Sequence, residues 1–563
     1  MTILKLHWRH LLFQFRVLYR VFLLRVIDLE LLSGDADTSR LMGQFAAVFT
    51  TISFFCSFPV PIFLVGRRPI PVPLAYMFEH FLIETTMTIA GIIAVLSWDS
   101  AFPDRRDMLV LGPLPVRSST LFFSKLAALF AGPLLAIGSF NIFAGFSWPL
   151  VFAVGAGGSF SLLRTFPAYW LTLLAAGSFL VFSILAIQGL AANLLPRQVF
   201  LRLSAVLQAA LLCLLMTTYF LGPSFNSPSA LSAPGHRHLL AWLPAYWFLG
   251  LFNQLNGTPH PELVPLAHRA WLALGLSALG AITALLLSYF RTLRRVVEQP
   301  DILPSMRGRS FAFGDSLASV LTLFSFRTLM RSRLHRMILS VYIGIGLTII
   351  FGFIHTRFAR QNAEASGSLS LTYLLASILT VSLSILALRI VVSIPITLRA
   401  NWIFRATQIR PAWRYHRAMR VSFLALCVLP ALALLSTALL NRSYPAPAVV
   451  AHLATMALLG ALIVELCLLT FRKISFACSY LPGKANLHFV FWVALFGSIQ
   501  WIRDAASFEG RTLDRPRGIV DLLLALAAAA ALTHILSNRR AHQTAELIFE
   551  EEDMTGMVTL NLR

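Results

Sequence analysis

Apolar residues run along this chain in stretches of about twenty, separated by short breaks rich in arginine. A helix rises about 1.5 Å per residue, so about 20 apolar residues cross the roughly 30 Å hydrocarbon core of a bilayer. By that measure twelve spans are predicted: 43–65, 75–97, 121–147, 166–190, 203–222, 266–290, 336–354, 370–396, 419–440, 448–471, 487–502 and 518–536. The runs are continuous and show no ten-residue segments of alternating polarity, which predicts helices rather than barrel strands. Residues 148–157 are also apolar and read as a candidate re-entrant piece. The expected fold is all-α: a polytopic membrane protein of about twelve transmembrane helices.

The first residues follow a different pattern. Leu11, Phe15, Leu18 and Phe22 fall on one stripe at 100° per residue, and Arg9, Arg16 and Arg20 on the opposite face. Such a helix suits the membrane interface, with its arginines toward anionic headgroups. Arginines every few residues also exclude the clean apolar core of a signal peptide.

Composition supports the reading. The chain has 563 residues, 57% hydrophobic and 12% charged, whereas a soluble domain carries about 25% charged residues. The net charge of +22 would suggest nucleic acid in a soluble protein. No basic run here is interleaved with aromatics as a stacking platform requires, so no nucleic-acid partner is expected. Cations on one side of a membrane explain the charge instead. With both termini inside, the inner segments 1–42, 98–125, 191–202, 291–336, 397–420, 472–486 and the tail hold about 33 of the 46 lysines and arginines. The positive-inside rule therefore predicts cytoplasmic termini in a cell's inner (plasma) membrane.

The spans fall into two sets of six around the basic segment 291–336. This predicts an N-terminal lead-in (1–42), a first half (43–290), a cytoplasmic connector (291–336), a second half (337–536) and an acidic cytoplasmic tail (537–563). Each half carries a basic inner segment after its second span. The first holds Trp98, Pro115, Arg117 and Lys125, and the second holds Trp402, Pro411, Arg414 and Arg420. Long outer loops are expected at 223–265 and 503–517. Internal duplication of this kind is common in transporters.

One of these inner segments resembles a known family. "RRDMLVLGPLPVRSSTLFFSK" is similar to the segment between the second and third helices of the membrane subunits of type-2 ATP-binding-cassette exporters. There, a few charged residues, an apolar "L…LPV" and a lysine entering the next helix form a coupling helix that docks on the ATPase. The interfacial N-terminal helix resembles that family's connecting helix. The resemblance implies a permease that moves an amphipathic or lipid-like substrate. It implies ATPase contacts at Arg105, Arg106, Asp107, Pro115 and Arg117, and at Pro411 and Arg414 in the second half. "ATQIRPAWRYHRAMR" lacks the "LPV" and is richer in arginine. Membrane lipid is the other expected partner.

No chemistry of its own is legible. "SYLPGKAN" at 479–486 lacks the earlier glycine and the Ser/Thr of a phosphate loop, so ATP and magnesium are expected on the partner ATPase. The five cysteines, Cys56, Cys213, Cys427, Cys467 and Cys478, include no CxxC pair and predict neither a disulfide framework nor zinc. "HWRH" and "HRH" have no ligand partners at metal spacing, and no nucleophile elbow occurs. No catalytic or metal site is expected.

Charges inside spans are more informative, since each costs about 2.5–3.5 kcal/mol at a helix centre. Glu79, His80 and Glu84 lie in the second predicted span, Arg389 in the eighth and Glu465 in the tenth. Glu84 precedes Trp98 by fourteen residues and Arg389 precedes Trp402 by thirteen, which predicts similar depths and a charge pair joining the halves. The alternative function is a proton- or ion-coupled secondary transporter using Glu84 or Glu465.

Overall fold

The computed structural model describes residues 12–23, 38–65, 72–98, 111, 114–156, 161–225, 241–258, 261–298, 316–358, 371–396, 401, 412–440, 445–469, 471, 473–477, 501–513, 515–543 and 547–548. Nearly all of these are helical, and the one β-type contact among them is a parallel bridge from Lys473 to Ile548. The protein is an all-α polytopic membrane protein. Nine of the described helices are long and apolar enough to cross a bilayer. Two of the predicted spans, the first and the seventh, are shorter apolar helices, at Ala46–Ile62 and Leu334–Thr348. The eleventh, 487–502, lies almost entirely outside the described residues.

The chain divides between Ser305 and Met306 into two compact units. That division falls inside the predicted connector.

The first unit contains α1 (12–23), α2 (Thr38–Ser57), α3 (Val60–Val65), α4 (Val72–Leu96), α5 (Ser118–Ala156), α6 (Ser161–Leu194), α7 (Arg197–Phe225), α8 (Pro244–Asn256) and α9 (Val264–Glu298). Its core joins α4, α5, α6, α8 and α9 through residues such as Leu82, Phe140, Leu173, Phe248 and Ala270. Helices meet closely where a side chain is missing. A Cβ on Gly177 of α6 would stand 2.5 Å from Ile137 of α5. Small residues allow such approach in membranes, where packing rather than water expulsion drives association.

Three expectations need correction here. Residues 148–157 are not a re-entrant piece: α5 continues through Pro133 and Pro149 to Ala156. Prolines are tolerated in membrane helices because neighbouring groups satisfy the freed carbonyls. Residues 223–265 are not simply an outer loop. Within them α8 buries Tyr246, Phe248, Leu249, Leu251 and Phe252 against α4, α6 and α9. Pro244 opens this helix, and Gly257 closes it in the left-handed region at φ 77°. Arg164 of α6 donates from Nε to the Leu255 carbonyl at 2.9 Å, covering the same end.

The third correction concerns α1. Leu18 and Phe22 do not face lipid. They are buried with Leu23 against Leu121 and Ala128 of α5. The surface left exposed carries Phe13, Val17 and Val21 beside Arg16 and Arg20. A docked helix has to divide its apolar positions between a protein neighbour and the bilayer, and periodicity alone does not say which stripe goes where.

The second unit contains α10 (Leu317–Arg331), α11 (Arg333–Phe358), α12 (Leu371–Val391), α13, α14 (Ala446–Leu469), α15 (501–513) and α16 (Pro516–Gln543). Helix α13 comprises Ala412–Phe423, a π-helical turn at Leu424–Val428 and Leu429–Leu440. Pro430 follows that turn, and a π turn is one way a helix absorbs a missing N–H. The expected outer loop 503–517 is largely helical, as α15 and the start of α16.

Structural features recur between the units. Helix α10 packs on the start of α13 as α1 packs on the start of α5. Ser316 caps α10 by accepting from the Ser319 N–H at 3.2 Å, and Thr322 shares a 2.9 Å hydrogen bond with Ser422 of α13. In each unit the fourth helix of the set, α6 or α14, packs on the last, α9 or α16.

Candidate functional site

The sequence singles out two kinds of residue: basic groups at the inner ends of spans and charges within them. Of the first kind, Arg105, Arg106, Asp107 and Pro411 lie outside the described residues. Pro115 and Arg117 are exposed immediately before α5. Gln14 of α1 donates to the Pro115 carbonyl at 3.5 Å, and Val116 packs beside α1. Lys125 lies with Nζ 5.5 Å from the Phe22 ring centre, so its charge sits over an aromatic face on α1. In the second unit Arg414 is exposed in the first turn of α13, with its guanidinium 5.6 Å from the centre of the Trp413 ring. Trp413 in turn stacks on His542 near the end of α16.

Within the first unit, polar groups from four helices converge around α4. Thr86 accepts from Asn141 of α5 at 3.2 Å, and Tyr169 of α6 donates to Oδ1 of Asn141 at 3.3 Å. Thr85 donates to Tyr219 of α7 at 3.4 Å. Toward the start of α4, the ring of His80 lies 4.3 Å from that of Tyr246 on α8. Its Nδ1 is 3.6 Å from Oε2 of Glu84. Glu79 borders a small cavity with Ile83, Tyr169, Thr172, Leu173 and Phe252. The C-terminal end of α4 is closed by amides: Gln208 donates to the Val95 carbonyl at 2.8 Å and Gln188 to that of Trp98 at 2.6 Å. Helix ends leave carbonyls unsatisfied, and inside a bilayer only protein groups can reach them.

The second unit handles its charges differently. Arg420 of α13 grips Glu465 of α14 through two donors: Nε to Oε1, and Nη2 to Oε2 at 3.1 Å. His534 of α16 approaches the same Oε1 at 2.9 Å. Three helices thus meet on one carboxylate. A second buried pair joins His452 of α14 to Glu509 of α15 at 2.8 Å. Arg389, near the end of α12, donates to Ser393 at 2.6 Å and to the Cys467 carbonyl at 3.4 Å, and its guanidinium lies 4.5 Å from the centre of the Phe471 ring. Glu84 thus has His80 beside it in one unit, and Arg389 makes these contacts in the other.

Sequence reasoning identified Glu465 but gave it no partner. Arg420, a cation at the start of the third span of its half, is the counterion. Opposite charges in successive spans were the available signal. His452 and Glu509 carried none, because Glu509 falls in a stretch expected to be loop.

Phe476 is a further residue that periodicity could not reveal. It holds φ 61°, a region L side chains rarely adopt. Its N–H donates to the Val392 carbonyl at 2.9 Å, and its own carbonyl accepts from Ile396 at 3.1 Å. Its ring meets those of Phe324 on α10 and His335 on α11. One residue thus ties the C-terminal end of α12 to two other helices.

No family model, no curated protein and no solved structure matches this chain.

Proposed function

We propose that this protein is the membrane-embedded permease of an ATP-driven exporter of the type-2 ATP-binding-cassette kind. Hydrolysis takes place on separate ATPase subunits at its inner face, and the cargo is amphipathic or lipid-like. The observation that carries this reading is the repeated corner. In each unit a short amphipathic helix, α1 or α10, is docked on the first turns of a long span, α5 or α13. An exposed arginine, Arg117 or Arg414, stands at that span's start. A partner pushing on such a corner moves the span and its docked helix together, because their side chains are packed as one body. The described part of the resembling motif, 114–125, lies at the first of these corners. Both termini are taken as cytoplasmic, which puts the two corners on the side where ATP is available.

The test begins with the purified full chain in lipid nanodiscs. Alone it hydrolyses no ATP. An ATPase subunit co-purifies with it from native membranes, and Arg117→Glu and Arg414→Glu each weaken that association while thermal stability is kept. Hydrolysis by the chain alone, or undiminished association in both variants, rejects the reading.

A further inference from the structure

The exporter reading gives no task to the buried titratable groups of α4. Glu79 is 7% exposed and His80 2% exposed. Oε2 of Glu79 and both ring nitrogens of His80 make no hydrogen bond, nor does the hydroxyl of Thr172, which is 1% exposed on α6. Glu79 and Thr172 border the same small cavity, so two unmatched polar side chains from different helices share one space. Glu84 lies one turn along the helix from His80, 3.6 Å from its Nδ1.

What neutralises these carboxyls is the question. Besides His80, the titratable groups around them are Tyr169 on α6, Tyr219 on α7, Tyr246 on α8 and Tyr76 on α4 itself. None is cationic. No arginine or lysine among the described residues pairs with Glu79 or Glu84, in contrast to Glu465, which Arg420 grips. A carboxylate held away from water without a cation or enough donors takes up a proton instead. A metal ion fits poorly. Hard cations take about six or more oxygen ligands, and half of the cavity wall is Ile83, Leu173 and Phe252.

We propose that Glu79, with His80 and Glu84 beside it, forms an intramembrane proton-binding site in the first unit. Its ligand is the proton itself. Glu79 holds it as a neutral carboxyl, and the His80 imidazole lies beside the second carboxyl, 3.6 Å from Glu84. The site needs no ATPase, so it stands or falls separately from the exporter reading.

The experiment is infrared spectroscopy of the full chain in nanodiscs at neutral pH. The wild type shows the carbonyl band of a protonated carboxyl. Glu79→Gln lowers it, and Glu79→Gln with Glu84→Gln abolishes it. Should the glutamine variants fail to fold, Thr172→Val serves instead, and it shifts the band's frequency by changing the cavity around Glu79. Absence of the band in the wild type, its survival in the double variant, or an unshifted band in Thr172→Val overturns the proposal. So does loss of the wild-type band on adding sodium at fixed pH, which would assign the site to a metal cation.

Discussion

Glu465 and Glu79 are both carboxyls within membrane helices, and one guanidinium separates their circumstances. Arg420 neutralises Glu465 through two hydrogen bonds; Glu79 has an oxygen with no hydrogen-bond partner. Breaking a buried pair from one side costs about 3–5 kcal/mol, because a bare charge remains. Arg420→Met should therefore lower stability by about that amount in detergent melts, and adding Glu465→Leu should restore most of it. A single variant that melts like the wild type would show that the pair carries no such weight. Backbone positions make their own demands. Gly257 needs a positive φ, and a Cβ there would meet the Arg164 guanidinium at 2.1–2.4 Å. Gly257→Ala should cost about 1 kcal/mol or more by the same melts. The turn at Gly257 was not legible beforehand; for Arg420 and Glu465 the opposite charges in successive spans were visible, but not that these residues, 45 apart, meet.

Among elements, α1 shows how a correct assignment can still be wrong about orientation. Its helical period was plain in the sequence, yet the stripe expected to face lipid is docked on α5. This predicts a clear pattern for nitroxide labels on the full chain in nanodiscs. A label at position 17 should be quenched by lipid-soluble oxygen. One at position 18 or 22 should be strongly immobilised and shielded from it. The reverse order would return Leu18 and Phe22 to the membrane. Helix α8 makes a related point. Its 13 residues are too few to span a bilayer, so a length criterion set it aside as loop. Its burial comes from α4, α6 and α9, which supply an apolar environment without the helix having to cross anything.

For the whole molecule, the arginine distribution remains the basis for orientation. Cysteine labelling in intact cells tests it. A cysteine at position 117 should be inaccessible to an impermeant outer reagent, and one at position 242, where Trp242 is 80% exposed, should react. Labelling the other way round would invert the protein and remove both corners from the ATP-containing side. Two features recur in both units that the sequence did not suggest: a helix docked on the third span and close packing of the fourth span with the last. The units are not copies. One closes the end of its second span with glutamine amides, the other with the backbone of Phe476.

The sequence by itself determined the helical class and the membrane as solvent. Each follows from local facts, run length and hydropathy, that a bilayer converts directly into helix because no backbone polar group can be left unpaired there. Tertiary structure alone decided which apolar stripe meets protein and which meets lipid, since lipid and a neighbouring helix look alike to a hydrophobic residue. It also decided which intramembrane carboxyl has a cation among the described residues and which has none there. That depends on distances between helices far apart in the chain, and a one-dimensional pattern holds no record of them.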